Sequence, residues 1–145
     1  MAVLQSAAML IPKRIPGWRG LLISWGVYGV MWIALEGWLW RAVLLGVLTT
    51  AVLLIYLLQK HLGGRRVGLK MWLAISAVLG LGFGLGSGLL TLVFMAVKTG
   101  LHAHGPEFTP SEIGWVMGQM GLWTAVGLLV GLGLGLLAWG VVSSQ

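Results

Sequence analysis

The stretch "LGLGFGLGSGLL", Leu79–Leu90, places glycine at every second position from Gly80 to Gly88. Each glycine costs a helix interior roughly 1 kcal/mol relative to alanine, so a water-soluble domain rarely keeps five of them in one apolar run. Lipid changes that balance. Unfolding there would leave backbone polar groups unpaired, which protects the helix against its poor propensity. Helix residues four apart share a face. Gly80, Gly84 and Gly88 therefore form one row, and Gly82 with Gly86 forms a second beside it. The last apolar run repeats the device with Gly127, Gly131 and Gly135, and adds Gly114 with Gly118. Helices in lipid associate by close packing across small residues, because no hydrophobic drive pushes them together. The pattern predicts glycine-zipper packing in the third and fourth helices of an all-α membrane protein.

Composition points the same way. Of 145 residues, 59% are hydrophobic and 8% charged, with a mean hydropathy of +0.99. A soluble domain carries about 25% charged residues, so this chain could not cover itself in water. The net charge of +6 comes from short basic clusters between apolar runs, without the continuous stripe that tracks nucleic-acid phosphate. Anionic lipid headgroups are the simpler partner, and no nucleic acid is expected. The absence of cysteine excludes disulfides, thiolate metal sites and cysteine catalysis.

A spanning helix needs about 20 mostly apolar residues. Residues 71–97 are free of charge, and so are residues 113–142, the fourth span reading from about 111 to 142. The run 20–58 carries Glu36 and Arg41 near its middle. As one helix it would measure about 58 Å, roughly twice the hydrocarbon thickness. Two spans, about 18–36 and 39–60, joined by a tight turn at "EGWLWR" with Gly37 as its turn-former, fit better. The expectation is a four-transmembrane-helix bundle of two hairpins. Residues 18–145 form a single transmembrane domain in this reading. Residues 1–17, "MAVLQSAAMLIPKRIPG", form an N-terminal interfacial or partner-contacting segment, because the basic pair follows the apolar stretch where a signal peptide would precede it.

Four spans gather Lys13, Arg14, Arg19, Lys60, Arg65, Arg66 and Lys70 on one face, leaving Arg41 and Lys98 with the three glutamates on the other. Lysine and arginine accumulate in short cytoplasmic loops. Both termini are thus expected in the cytoplasm of a multi-pass protein, in a prokaryotic inner or energy-transducing membrane. Trp18, Trp38, Trp40, Trp72, Trp115 and Trp139 fall near helix ends and read as an aromatic belt. Trp25, Tyr28 and Trp32 share one face of the first span and form a stripe suited to lipid, pigment or quinone contact, or to packing on a neighbouring helix.

Candidate chemistry is sparse. In "KTGLHAHGPEFTPSE", residues 98–112, His102, His104 and Glu107 supply nitrogen and oxygen ligands of the type that hold divalent metals, although structural zinc wants four ligands. "TPSE" reads as a capping box, with Thr109 as N-cap, Pro110 at N1 and Glu112 reaching back. No nucleophile–base arrangement can be assembled, and the chain lacks aspartate. Neither glycine-rich span carries a carboxylate that could hold a transported proton. The expected function is that of a non-catalytic accessory, structural or assembly subunit of a larger integral-membrane complex, with electron-transfer complexes, respiratory or photosynthetic, as common hosts. No cofactor is required. The alternative is an oligomeric channel or small-solute transporter, against which stands the want of polar groups in the spans.

Overall fold

The computed structural model describes residues 8–35, 37–101 and 105–144. Within them the chain is helical apart from one short β pair: β1 (Met9–Leu10), α1 (Trp18–Ala34), α2 (Leu39–Leu62), β2 (Arg66–Val67), α3 (Leu69–Leu101) and α4 (Pro110–Ser143). The four-helix count fits the sequence expectation. Three helices, α2, α3 and α4, are long and apolar enough to cross a membrane. The first helix stops at Ala34, two residues before its expected end, because Leu35 turns to extended backbone. Its 17 residues measure about 25 Å, slightly less than a hydrocarbon core of about 30 Å.

The third helix is the centre of the fold. Its Gly80, Gly84 and Gly88 face α4, where a side chain would have no room. A Cβ at Gly84 would stand 2.7 Å from the Thr124 Cα, one at Gly88 2.6 Å from the Met120 Cγ, and one at Gly80 would meet the Gly127 carbonyl. From the other side, Gly131 faces the Gly80 Cα, and a Cβ at Gly135 would stand 2.6 Å from the Ser76 hydroxyl. The second row looks elsewhere. Gly82 lies against Leu54 and Gly86 against Thr50, both on α2, while Gly46 of α2 approaches the Thr91 backbone. The two rows of one helix therefore accommodate two different neighbours.

At the end that holds α1's C-terminus, Trp32, Ala42, Leu45, Met95, Phe108 and Val116 form the main core, drawn from all four helices and the α3–α4 connection. Trp25 Nε1 donates to Thr49 Oγ1 at 2.8 Å, and the Tyr28 hydroxyl to the Arg41 carbonyl at 3.0 Å. These bonds set α1 antiparallel beside α2. At the other end β1 pairs antiparallel with β2, Met9 opposite Val67 and Leu10 opposite Arg66. The pairing continues as Ile11 N donates to Arg65 O and Gly64 N to Ile11 O. Gly64 makes this return in the left-handed region, at φ +83°, which a residue without Cβ adopts freely. Buried Ile11, Val67 and Ile75 anchor the strand pair on α3. The described part of the N-terminal segment is thereby folded onto the α2–α3 connection.

The start of α4 follows its sequence closely. Thr109 Oγ1 accepts from Glu112 N at 3.3 Å, and Thr109 N donates to Glu112 Oε2 at 2.8 Å, completing the capping box. Overpacking a closed site costs about 1–3 kcal/mol, and backbone contact offers little relief. Gly84→Leu should therefore lower the thermal midpoint in detergent markedly. Gly133→Leu, where a side chain meets open space, should leave it within the error of the parent. Equal midpoints for the two variants would contradict this packing.

Candidate functional site

Because α3 holds α2 on one flank and α4 on another, a groove remains between those two helices. It is floored by Ser76, Gly80, Gly84 and Ser87 of α3. One wall is Val47, Ala51, Leu54 and Leu58 of α2, the other Val126, Val130, Leu134 and Ala138 of α4. Its volume is about 840 Å³, within the range of about 300–1,000 Å³ typical of small-molecule sites. From Trp40 to Leu58, both lining residues, it runs about 27 Å along α2. That is nearly the full hydrocarbon thickness.

Tryptophans bound it. At one end Trp115 meets Trp40 edge to face at 5.6 Å and Trp123 at 5.9 Å, tying α2 to α4. At the other, Trp72 donates its indole N–H to the Gly135 carbonyl at 2.8 Å. Three of the hydroxyls near the groove turn back onto their own helices: Thr50 to Gly46 O, Ser87 to Phe83 O and Thr124 to Met120 O. Back-bonding of this kind satisfies a hydroxyl without offering it to a ligand. The groove is accordingly suited to an apolar guest, and carries no array of polar groups for a hydrated solute.

A second feature lies at the end of the bundle near the α1–α2 turn. Lys98 is fully buried. Its ammonium donates to the Trp32 carbonyl at 3.0 Å, the Ile33 carbonyl at 3.4 Å and the Leu35 carbonyl, and lies 5.0 Å from the Trp32 ring centroid. The last carbonyls of a helix have no intrahelical partner and carry its negative pole. α1 has no basic residue in its own last turn, so α3 supplies the cation. Nearby, Glu107 accepts from Gly37 N at 2.7 Å. Gly37 permits this because any Cβ there would stand 2.9 Å from the Glu107 Cβ.

The sequence-selected residues are distributed as follows. The stripe of Trp25, Tyr28 and Trp32 is spent on the chain's own helices through the two hydrogen bonds above, with Trp32 buried and edge to face on Phe94 at 5.8 Å. The glycines Gly80, Gly84, Gly88, Gly127, Gly131 and Gly135 stand together between α3 and α4, and Gly82 and Gly86 stand toward α2. His102 and His104, like Glu36, lie outside the described residues. Among the described residues no cluster of three metal-ligating side chains occurs, and Glu107 is directed to the α1–α2 turn. In the tryptophan belt, Trp38 and Trp40 are exposed, whereas Trp139 is buried inside the bundle.

Sequence reasoning put Lys98 on one face with Arg41 and the three glutamates and gave it no partner. A single lysine closing a 27-residue uncharged run is the signal that marks it. The groove had no sequence signature, because every lining residue type also suits lipid contact. Compared with known protein families, with characterised proteins and with solved structures, the chain matches none of them.

Hydrogen bonds from a charged donor contribute about 1.5–3 kcal/mol. Lys98→Met should therefore loosen α1, seen as faster amide exchange at Trp32–Leu35 and a lower thermal midpoint, with Lys98→Arg intermediate. Unchanged exchange in Lys98→Met would show that α1 is held by packing alone.

Proposed function

We propose that this protein is a four-span integral-membrane protein, built as two hairpins around a glycine zipper, that acts as a non-catalytic structural or accessory subunit of a larger membrane complex. The observation that carries this reading is the one-sidedness of α4. Only 11% of its most apolar stretch is buried inside the chain. Gly127 and Gly135 are consumed against α3, yet Gly114, Gly118 and Gly121 lie on another face, where a Cβ would meet nothing within 4 Å. A second row of small residues on the same helix suits close approach by a helix of another chain.

The glycines first selected from the sequence support the reading differently from the way expected. They serve the chain's own α3–α4 contact and, at Gly82 and Gly86, its α2–α3 contact, so the outward face is where a partner would dock. In this proposal α1 crosses as the fourth span. The end carrying Lys13, Lys60, Arg65, Arg66 and Lys70 faces the cytoplasm, following the preference of basic residues for that side. The hydroxyls bonded back to their own helices favour the subunit reading over a polar-solute channel.

Gly118→Leu should reduce recovery of partner subunits in mild-detergent purification from native membranes while leaving the thermal midpoint of the isolated chain unchanged. Full recovery of the same partners with Gly118→Leu would overturn the docking face. Orientation has its own check, since the chain has no cysteine. Gly68→Cys should label only from the cytoplasmic side of sealed membranes and Ser111→Cys only from the opposite side; labelling from one common side would overturn the four-span topology.

A further inference from the structure

The groove has two unequal ends, and charge distinguishes them. Beyond Leu58 and Trp72, which line its lower part, the chain presents Lys60, Arg65, Arg66 and Lys70, all exposed. The segment after β1 adds Lys13, whose stem crosses Gly64 so closely that a Cβ there would stand 3.1 Å from the Lys13 Cγ. Neither Glu107 nor Glu112 belongs to this end, since both stand at the start of α4 or just before it. The opposite end holds Glu107, bonded to Gly37 N, and Glu112, bonded to Thr109, and its mouth is crossed by Trp40, Trp115 and Trp123.

We propose that the half of the groove toward the basic end is a binding site for an anionic diacyl phospholipid, its acyl chains lying between α2 and α4 and its phosphate held by Lys60, Arg65, Arg66 and Lys70. Three observations support this occupant over others. The groove is about 27 Å long, close to two leaflets of a core about 30 Å thick, so one lipid's chains fill the half nearest its own headgroup. The walls there contributed by Leu54, Leu58, Val130, Leu134 and Ala138 are aliphatic, which suits hydrocarbon, and the indole N–H of Trp72, which also lines that end, is already given to the Gly135 carbonyl. The rim is cationic, with no acidic side chain beside it among the described residues, and each basic residue near an anionic surface adds about 1 kcal/mol of attraction. A partner transmembrane helix would fit the length equally well but would gain nothing from that rim.

This site stands apart from the docking face on α4, so either can fail without the other. The test is native mass spectrometry of the full chain in detergent, titrated with phosphatidylglycerol and with phosphatidylcholine of identical chains. One phosphatidylglycerol should be retained per chain, roughly tenfold or more in preference to phosphatidylcholine. Combined Arg65→Gln, Arg66→Gln and Lys70→Gln should remove the preference. Ala138→Trp should abolish retention by filling the groove. Val130→Trp, at a more exposed wall position, gives a second reading if the first variant folds poorly, as judged by its thermal midpoint. Equal retention of the two lipids by the parent chain would overturn the proposal. So would undiminished phosphatidylglycerol binding in folded Val130→Trp, which would place the lipid on the surface, or a copurifying helix that cross-links to the groove walls.

Discussion

Backbone contact between α3 and α4 is the constraint on which the rest of the structure depends. At Gly80 and Gly127 each helix presents a carbonyl to the position where the other would carry a Cβ. Such an approach is available only to glycine, and in lipid it supplies dispersion contact that no hydrophobic effect replaces. Once α3 is committed to α4 through one row, its second row, Gly82 and Gly86, is turned toward α2 and receives Leu54 and Thr50. Two neighbours on two faces of a narrow helix leave space between them. The groove is thus a consequence of the glycine periodicity.

The same economy governs polar groups. Hydroxyls within the apolar helices bond to carbonyls one turn back, as Thr91 does to Ser87 at 2.7 Å, so helix surfaces stay apolar where they meet lipid. The buried ammonium of Lys98 is accommodated because α1 ends with unpaired carbonyls beside it. Charge and helix terminus satisfy each other, which is what a buried ion requires. α1, the shortest and most peripheral helix, is fastened at the point where its backbone bonding stops. The subunit reading rests on what remains after these internal demands are met, namely a largely unburied α4 and its outward glycines.

Much of the architecture was legible in the sequence because membrane helices announce themselves through long uncharged runs. The spans expected at 39–60, 71–97 and 111–142 correspond to α2, α3 and α4, and the Thr109–Glu112 capping box marks its helix start by side-chain chemistry alone. The rows of glycine were also legible as faces. What each face would meet was not, since Gly84 opposite Thr124 is a relation between helices that no local pattern encodes. The β pair at Met9–Leu10 and Arg66–Val67 is two residues long on each side, too short for alternation to register. Trp139 shows the remaining ambiguity: an indole near a helix end suits the headgroup level, but helix rotation turns this one inward. Lys98 was hidden for a related reason, because a lysine near a span's end can snorkel outward or cap a neighbouring helix, and only tertiary placement decides.

The most direct test of the central contact is disulfide formation in a chain that has no cysteine of its own. A Cβ at Gly88 would stand 2.6 Å from the Met120 Cγ, about where a cysteine sulfur at position 120 would sit for bonding. Gly88→Cys with Met120→Cys should therefore form an intrachain disulfide readily in membranes. Gly86→Cys with Met120→Cys should not, because Gly86 faces Thr50 of α2. Equal cross-linking of the two pairs, or a disulfide joining two chains in the first, would contradict the account by showing that the glycine face of α3 is not closed by the chain's own α4.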